Sequence, residues 1–386
     1  MRRGDGHGTR RRRTAVRTAL VALVVLVAAF VVWDVSAGGP QRGVTPTPQP
    51  GTTAVPGQGS APPQGSGGSA SNLPGPSGAP GIALGVYVKP GTPPDDQEMA
   101  FGRFESSIGR RLSIIQTFTG WQTASGAEVP FPSSFATYAE SVGATPMITW
   151  QPEQAVNASQ APGGLLSDQP NFSLAQLSSG RYDSYIRSWA DAAKSFGRVV
   201  YVRPMHEMND KTYPWSIGVN GNSSAQEYVA AWRHIVGIFQ AERATNVQFV
   251  WCVGAKPALP NPAVYFPGDS YVSWIALDGY NRGQPWKSFT SIVSQAYAEI
   301  TAVSSRPVMI AEMGSVEQPG SPTAKADWIS SAFDQEIPRN FPLVRAVLYF
   351  DAPGRGFSFP LDSSTQALQA FSQVAGSAAY QARLPG

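Results

Sequence analysis

A (β/α)₈ barrel is the fold class the sequence predicts, and three observations predict it. Eight apolar runs of strand length follow one another, segments with apolar residues at spacings of three and four lie between them, and several runs turn abruptly polar at their C-terminal ends. Strands buried on both faces of a parallel sheet read as continuous apolar runs. A helical period between them makes strand–helix units, and polar strand ends are where such a protein places its chemistry. A doubly wound sheet is the rival; eight units favour the barrel.

In chain order, the first element is a basic flank, residues 1–17, predicted to stay cytoplasmic. The first 34 residues hold seven Arg and two Asp, so this stretch carries +5 and the rest −2, against +3 overall. The apolar run in residues 18–35 abuts the arginines, the pattern of a signal peptide or signal anchor. "VSA" before Gly38 resembles a cleavage site. The run is nevertheless long for a signal and slightly short for a span, and an uncleaved anchor is favoured. That adjacency argues against nucleic-acid binding, so the expected location is extracellular or cell-surface, with the membrane as a partner through the N-terminus. Residues 36–81 are rich in Pro, Gly and Ser and too poor in apolar surface to order themselves, which predicts a disordered linker. Residues 82–386 then form the barrel, a monomer by expectation, and 42% hydrophobic content suffices for a sizeable core.

The predicted strands are "IALGVYV" (82–88), "RLSIIQTF" (111–118), "TPMITW" (145–150), "VVYVRPM" (199–205), "VQFVWCV" (247–253), "VSWIALDGY" (272–280), "PVMIAEM" (307–313) and "VRAVLYF" (344–350). Helical periods occupy 181–197, 224–244, 291–304, 323–337 and 364–382. Cys252 is the only cysteine, which excludes an intramolecular disulfide; lying in an apolar strand, it is expected to be a core thiol.

The strand ends nominate the site. Strand four ends in "RPMHEMND", with "YPW" close behind, and strand seven ends in "AEM". A carboxylate after an apolar strand is costly unless it faces a polar or paired environment, so Glu207 and Glu312 stand out. From ends four and seven they can approach across the mouth at the roughly 5–5.5 Å used by retaining glycosidases. The competing reading is that each merely pairs with an arginine such as Arg203 to stabilise the rim. Trp121, Trp150, Trp215, Trp286 and Tyr280 cluster at the same end, and flat rings with polar edges suit stacking on sugars.

These segments, with "YVSWIALDGYN", "PVMIAEMGS" and "VRAVLYFD" in this order, resemble glycoside hydrolase family 26, best known for β-mannanases. The resemblance spans roughly residues 83–380 and implies a retaining (β/α)₈-barrel enzyme. It implies Glu207 as acid/base, Glu312 as nucleophile, His206 and Tyr280 beside them, and Trp215 lining the sugar site. Position adds Trp121, Trp150, Tyr349, Arg203 and Asn209 as substrate-binding candidates. Asp210 stands where the family usually has Gly, "TWQPE" departs from the usual Trp-Glu-Pro order, and Tyr349 replaces a common Trp; these departures bear on substrate more than on mechanism.

The expected activity is therefore exported, retaining, endo-acting hydrolysis of a β-1,4-mannan-type polysaccharide. The alternatives are a mixed-linkage glucanase or xylanase, an exo-acting trimming enzyme, or a non-catalytic carbohydrate-binding barrel. Glu207 is expected to be kept protonated by burial and nearby negative charge. The three histidines do not form a metal cluster and no phosphate-binding glycine loop follows a strand, so neither metal nor cofactor is expected.

Overall fold

The computed structural model describes residues 81–90, 97–155, 166–256 and 260–384. The basic flank, the apolar run and nearly all of the linker, with the expectations attached to them, lie outside these residues. Among the described residues, no helix is long and apolar enough to cross a membrane.

Eight parallel strands close into a barrel in sequence order: β1 (Ala83–Val88), β2 (Ile114–Gln122), β3 (Thr145–Gln154), β4 (Val200–Pro204), β5 (Val247–Gly254), β6 (Trp274–Asn281), β7 (Val308–Ser315) and β8 (Val344–Asp351). β8 pairs back to β1 from Ala83↔Ala346 to Val88↔Asp351, which removes both sheet edges. Each predicted run thus holds a strand, although β2 starts three residues later than expected. Glu105 takes up the approach to it, accepting from the Leu112 amide and pairing with Arg111.

The described helices are α1 (Gln97–Ile108), α2 (Ser133–Ser141), α3 (Leu174–Ser178), α4 (Asp183–Phe196), α5 (Ala225–Ala241), α6 (Phe289–Val303), α7 (Ala324–Ser331), α8 (Ile337–Asn340) and α9 (Thr365–Gly376). The segment 323–337, expected as one helix, instead widens after α7 into a π turn at Ala332–Glu336 before α8. Pro338 lacks the amide that would continue the α-helical ladder, and the wider turn absorbs the break.

Alternation along the strands divides the core in two. Ala83, Ile114, Met147, Tyr201, Val250, Cys252, Trp274, Met309 and Leu348 fill the barrel interior. Their neighbours Leu84, Ile115, Ile148, Val202, Trp251, Ile275, Ile310 and Val347 pack outward under the helices. Cys252 is buried inside, as expected.

Gly85 takes an interior position where a Cβ would meet the Ile114 carbonyl oxygen and the Leu348 Cγ at 2.8 Å each. Gly85→Ala is expected to cost about 1–3 kcal/mol by overpacking, measured by urea unfolding; an unchanged midpoint would contradict the packing described here.

Candidate active site

The inward alternation that fills the barrel continues to its C-terminal mouth. There Tyr201 on β4 is followed inward by Arg203, which has no exposed surface. Its guanidinium donates to Thr149 Oγ1 at 3.0 Å, to both Asp278 carboxylate oxygens at 2.9 Å, and to Glu312 Oε1. Burial alone would lower its pKa, but Asp278, Glu312 and Cys252 outweigh it and fix the cation. Burial, with the charges of Glu312 and Glu207, pushes the Asp278 carboxyl up against the pull of Arg203.

Glu312 reaches this cation because β7 departs from simple alternation. Leu277 pairs with Ile310 and Asp278 with Glu312, so Ala311 has no partner on β6. Ala311 lies in the interior cluster while Met313 has returned to the outer one. This bulge turns two consecutive side chains inward, a common device beside active sites. The second Glu312 oxygen accepts the Tyr280 hydroxyl. Burial first, then the Glu312 charge, raises the Tyr280 pKa, so the phenol keeps the proton it donates.

Glu207 is placed by a strained turn. Met205 and Glu207 adopt φ of +44° and +49°, a left-handed backbone unfavourable for non-glycine residues. Contacts around the turn hold it: the Glu207 amide donates to Cys252 O at 2.9 Å, Tyr228 donates to Met205 O at 3.1 Å, and Trp215 Nε1 donates to His206 O at 2.8 Å. The Asn209 amide and the Gly254 backbone exchange two hydrogen bonds of 2.9 Å. The Glu207 carboxylate then accepts the Tyr213 hydroxyl at 3.1 Å and lies 3.6 Å from Arg355. Burial raises its pKa, but Arg355, Lys256, Arg282 and Arg203 together hold it below the usual carboxylate range. The direction is opposite to the expectation that burial and nearby negative charge keep it protonated, because the four cations outweigh burial. His206, buried and close to Arg203 and Arg355, is held neutral, and its Nδ1 has no hydrogen-bond partner among the described residues.

An aromatic floor surrounds the carboxylates. Tyr87 meets Phe118 edge-on at 4.7 Å and Phe350 at 5.0 Å, and Tyr280 packs on Phe350 at 5.7 Å and Phe359 at 4.8 Å. Phe118, Tyr280 and Phe350 remain half-buried, so they keep accessible ring surface.

Of the sequence-nominated residues, Glu207, Glu312, Tyr280 and His206 converge on the mouth. Arg203 and Asn209 are there too, but each is spent on protein partners, one on carboxylates and the other on the β5 backbone. Trp121, Trp150, Trp215 and Tyr349 have no exposed surface and cannot stack on a sugar. Trp121 and Trp150 point outward, where Trp150 stacks on Trp189 of α4 at 4.4 Å. Tyr349 faces Phe371 of α9, and Trp215 stacks on Tyr213 at 4.7 Å. The strand ends were right and the face was wrong: alternation places Thr149 and Phe350 inward beside Trp150 and Tyr349. Sequence reasoning missed Tyr87, Phe118, Phe350, Tyr213 and Arg355. The same alternation would have found the first three, and nothing periodic marks the last two.

Residues 155–338, which include both glutamates, match the model of glycosyl hydrolase family 26. Endoglucanase H of Acetivibrio thermocellus is 32% identical over 306 residues, covering 77% of this chain and 30% of that protein. Mannan endo-1,4-beta-mannosidase A and B of Caldalkalibacillus mannanilyticus is 30% identical over 152 residues, 39% of this chain and 28% of that protein. The chain thus spans under a third of the length of these curated relatives. Among solved structures, a family 26 beta-mannanase from Bacteroides ovatus superposes with a TM-score of 0.53 at 14% identity, covering 78% of this chain and 90% of that one, a likeness of fold.

Removing Arg203 strands two buried carboxylates. Arg203→Met is expected to lose about 3–5 kcal/mol of stability, read by chemical denaturation, and a variant as stable as the parent would show that the ion cluster does not organise the mouth.

Proposed function

The barrel carries a glycosyl hydrolase family 26 domain, and from that premise we propose that the protein is an exported, retaining endo-β-glycanase cutting β-1,4-mannan-type polysaccharide by double displacement. The observation that carries the reading is the unequal environment of two glutamates at the same barrel mouth. Glu312 is fixed by Arg203 and Tyr280, while Glu207 is raised on a strained turn among groups borne by loops.

Glu312 attacks the anomeric carbon as the bond to the leaving oxygen breaks, giving a neutral glycosyl ester, and the negative charge ends on Glu207 as its proton goes to the leaving oxygen. Arg203 and Tyr280 orient the attacking carboxylate beforehand, so little reorganisation remains at the moment of reaction. Glu207 gives a proton to the leaving oxygen; the cations around it favour its carboxylate form, so that proton must be taken up before the first step. As a carboxylate it then accepts a proton from the water that attacks the ester, and configuration is retained. Phe118, Tyr280 and Phe350, each half-buried, supply ring faces. The basic flank and apolar run support export through an N-terminal anchor.

A second substrate reading has its own support. The relative matching most of this chain is named an endoglucanase, which favours a β-glucan. Product analysis on soluble mannans, mixed-linkage glucans and xylans separates the two.

Glu312→Ala is expected to abolish turnover with the fold intact, and azide to yield a product of inverted configuration; activity like that of the parent would remove Glu312 as nucleophile. Glu207→Ala is expected to slow polysaccharide hydrolysis by about 10²- to 10⁴-fold. It should spare the first step on an activated aryl glycoside, so that a glycosyl-enzyme accumulates as added mass. Equal slowing of both substrates without a trapped intermediate would assign the acid/base to another residue.

A further inference from the structure

Beyond β8 a small hairpin, β9 (Pro353–Gly354) and β10 (Phe357–Ser358), stands over the mouth. Its two-residue tip is Arg355–Gly356, with φ of +48° and +80°. Positive φ at both tip positions marks a type I′ turn, which favours Asn or Gly. An arginine there is strained, and strain at such a place points to a side chain wanted for what it reaches. Arg355 reaches Glu207 Oε2 at 3.6 Å, Asp210 Oδ2 at 3.5 Å, and the Tyr213 ring centroid at 4.9 Å.

The hairpin is moored on its other side and at its root. The Arg282 guanidinium lies 5.5 Å from the Phe357 ring and 5.3 Å from that of Tyr280. The buried Lys325 donates to the carbonyls of Phe359 and Pro360 just beyond it. The groups facing Glu207 come from every side: Tyr213 from its own loop, Arg203 from β4, Lys256 after β5 and paired with Asp210, Asp278, Tyr280 and Arg282 from β6 and its end, and Glu312 from β7. His206 beside it is neutral, and Glu153 at the end of β3 lies within the field of Arg355. Among the described residues, Arg355 is the cation in direct ion-pair range of the Glu207 carboxylate. Arg203 is committed to Asp278 and Glu312, and Lys256 to Asp210.

We infer that Arg355 is a positioning residue that governs when Glu207 carries a proton, by favouring its carboxylate form through their ion pair. The inference rests on Glu207 as acid/base. An opposite charge within about 4–6 Å favours ionisation by roughly 1–3 pH units. A general acid works only while protonated, so Arg355 sets the alkaline limit of the first step.

The test is the pH dependence of kcat/KM for the parent chain, Arg355→Gln and Arg355→Lys, on polysaccharide and on an aryl glycoside with an activated leaving group. With polysaccharide, Arg355→Gln is expected to move the alkaline limb up by about 1–3 pH units, while Arg355→Lys leaves it near the parent value. With the activated glycoside, whose departure needs no proton, Arg355→Gln leaves the profile in place. An unmoved limb with a raised KM overturns the inference and makes Arg355 a sugar contact, and an equal shift on both substrates overturns it too. Glu207→Gln serves as the separate control. If that variant keeps the limb on polysaccharide, the acid/base assignment falls and the inference with it; if it loses the limb, failure of Arg355→Gln counts against Arg355 alone.

Discussion

The mouth of the barrel is organised by one fully buried guanidinium. Three strands contribute to its cluster: Arg203 from β4, Asp278 from β6 and Glu312 from β7. Taking any of these charges out of water costs several kcal/mol, and their mutual attraction offsets this only with near-ideal geometry and satisfied hydrogen bonds. The two 2.9 Å bonds to Asp278, the bond to Thr149 on β3 and the tie to Glu312 meet that condition. The cluster is thus a demanding constraint. A register slip in β4, β6 or β7 would leave a buried charge unpaired, so the arrangement that positions Glu312 also selects the register of the barrel.

That dependence explains what the sequence could and could not disclose. Eight strands and two glutamates were legible because they rest on local signals: apolar runs of strand length, and charges where such runs end. The face of each terminal residue was less legible, although it obeys a period of two, because the large aromatics drew attention regardless of parity. Trp150 and Tyr349 are conspicuous, but the residues beside them, Thr149 and Phe350, face the mouth. The bulge at Ala311 was not legible at all. It exists only in the pairing with β6 and β8, and without it Glu312 would share the outward direction of Ile310.

The electrostatic error has a related origin. Protonation of Glu207 was expected from what is legible near it, the negative charge of a second carboxylate and burial behind an apolar strand. Three of the four groups that reverse the sign come from separate loops, Lys256 after β5, Arg282 after β6 and Arg355 beyond β8, and the fourth is Arg203 on β4. Loops carry no hydrophobic period, and "PGRG" resembles any surface turn. Only the closed barrel, which sets all eight strand ends around one opening, brings these cations within reach of Glu207.

The two carboxylates then differ in the stiffness of what surrounds them. The partners of Glu312, Arg203 and Tyr280, stand on strands of the closed sheet, a stiff frame that would serve the nucleophile's role proposed for it. The partners of Glu207 are different: the hydroxyl of Tyr213 on a loop, and the guanidinium of Arg355 on a two-residue hairpin tip at 3.6 Å, longer than a hydrogen bond. Under the proposed mechanism Glu207 loses and regains a proton within each cycle. A rigid, tightly bonded cation would oppose one of those changes by the full strength of the pair. A cation at 3.6 Å, without a hydrogen bond to the carboxylate, opposes protonation less than a tightly bonded one would. The division between strand-borne and loop-borne partners thus matches the division between a group that must be placed and a group that must be switched.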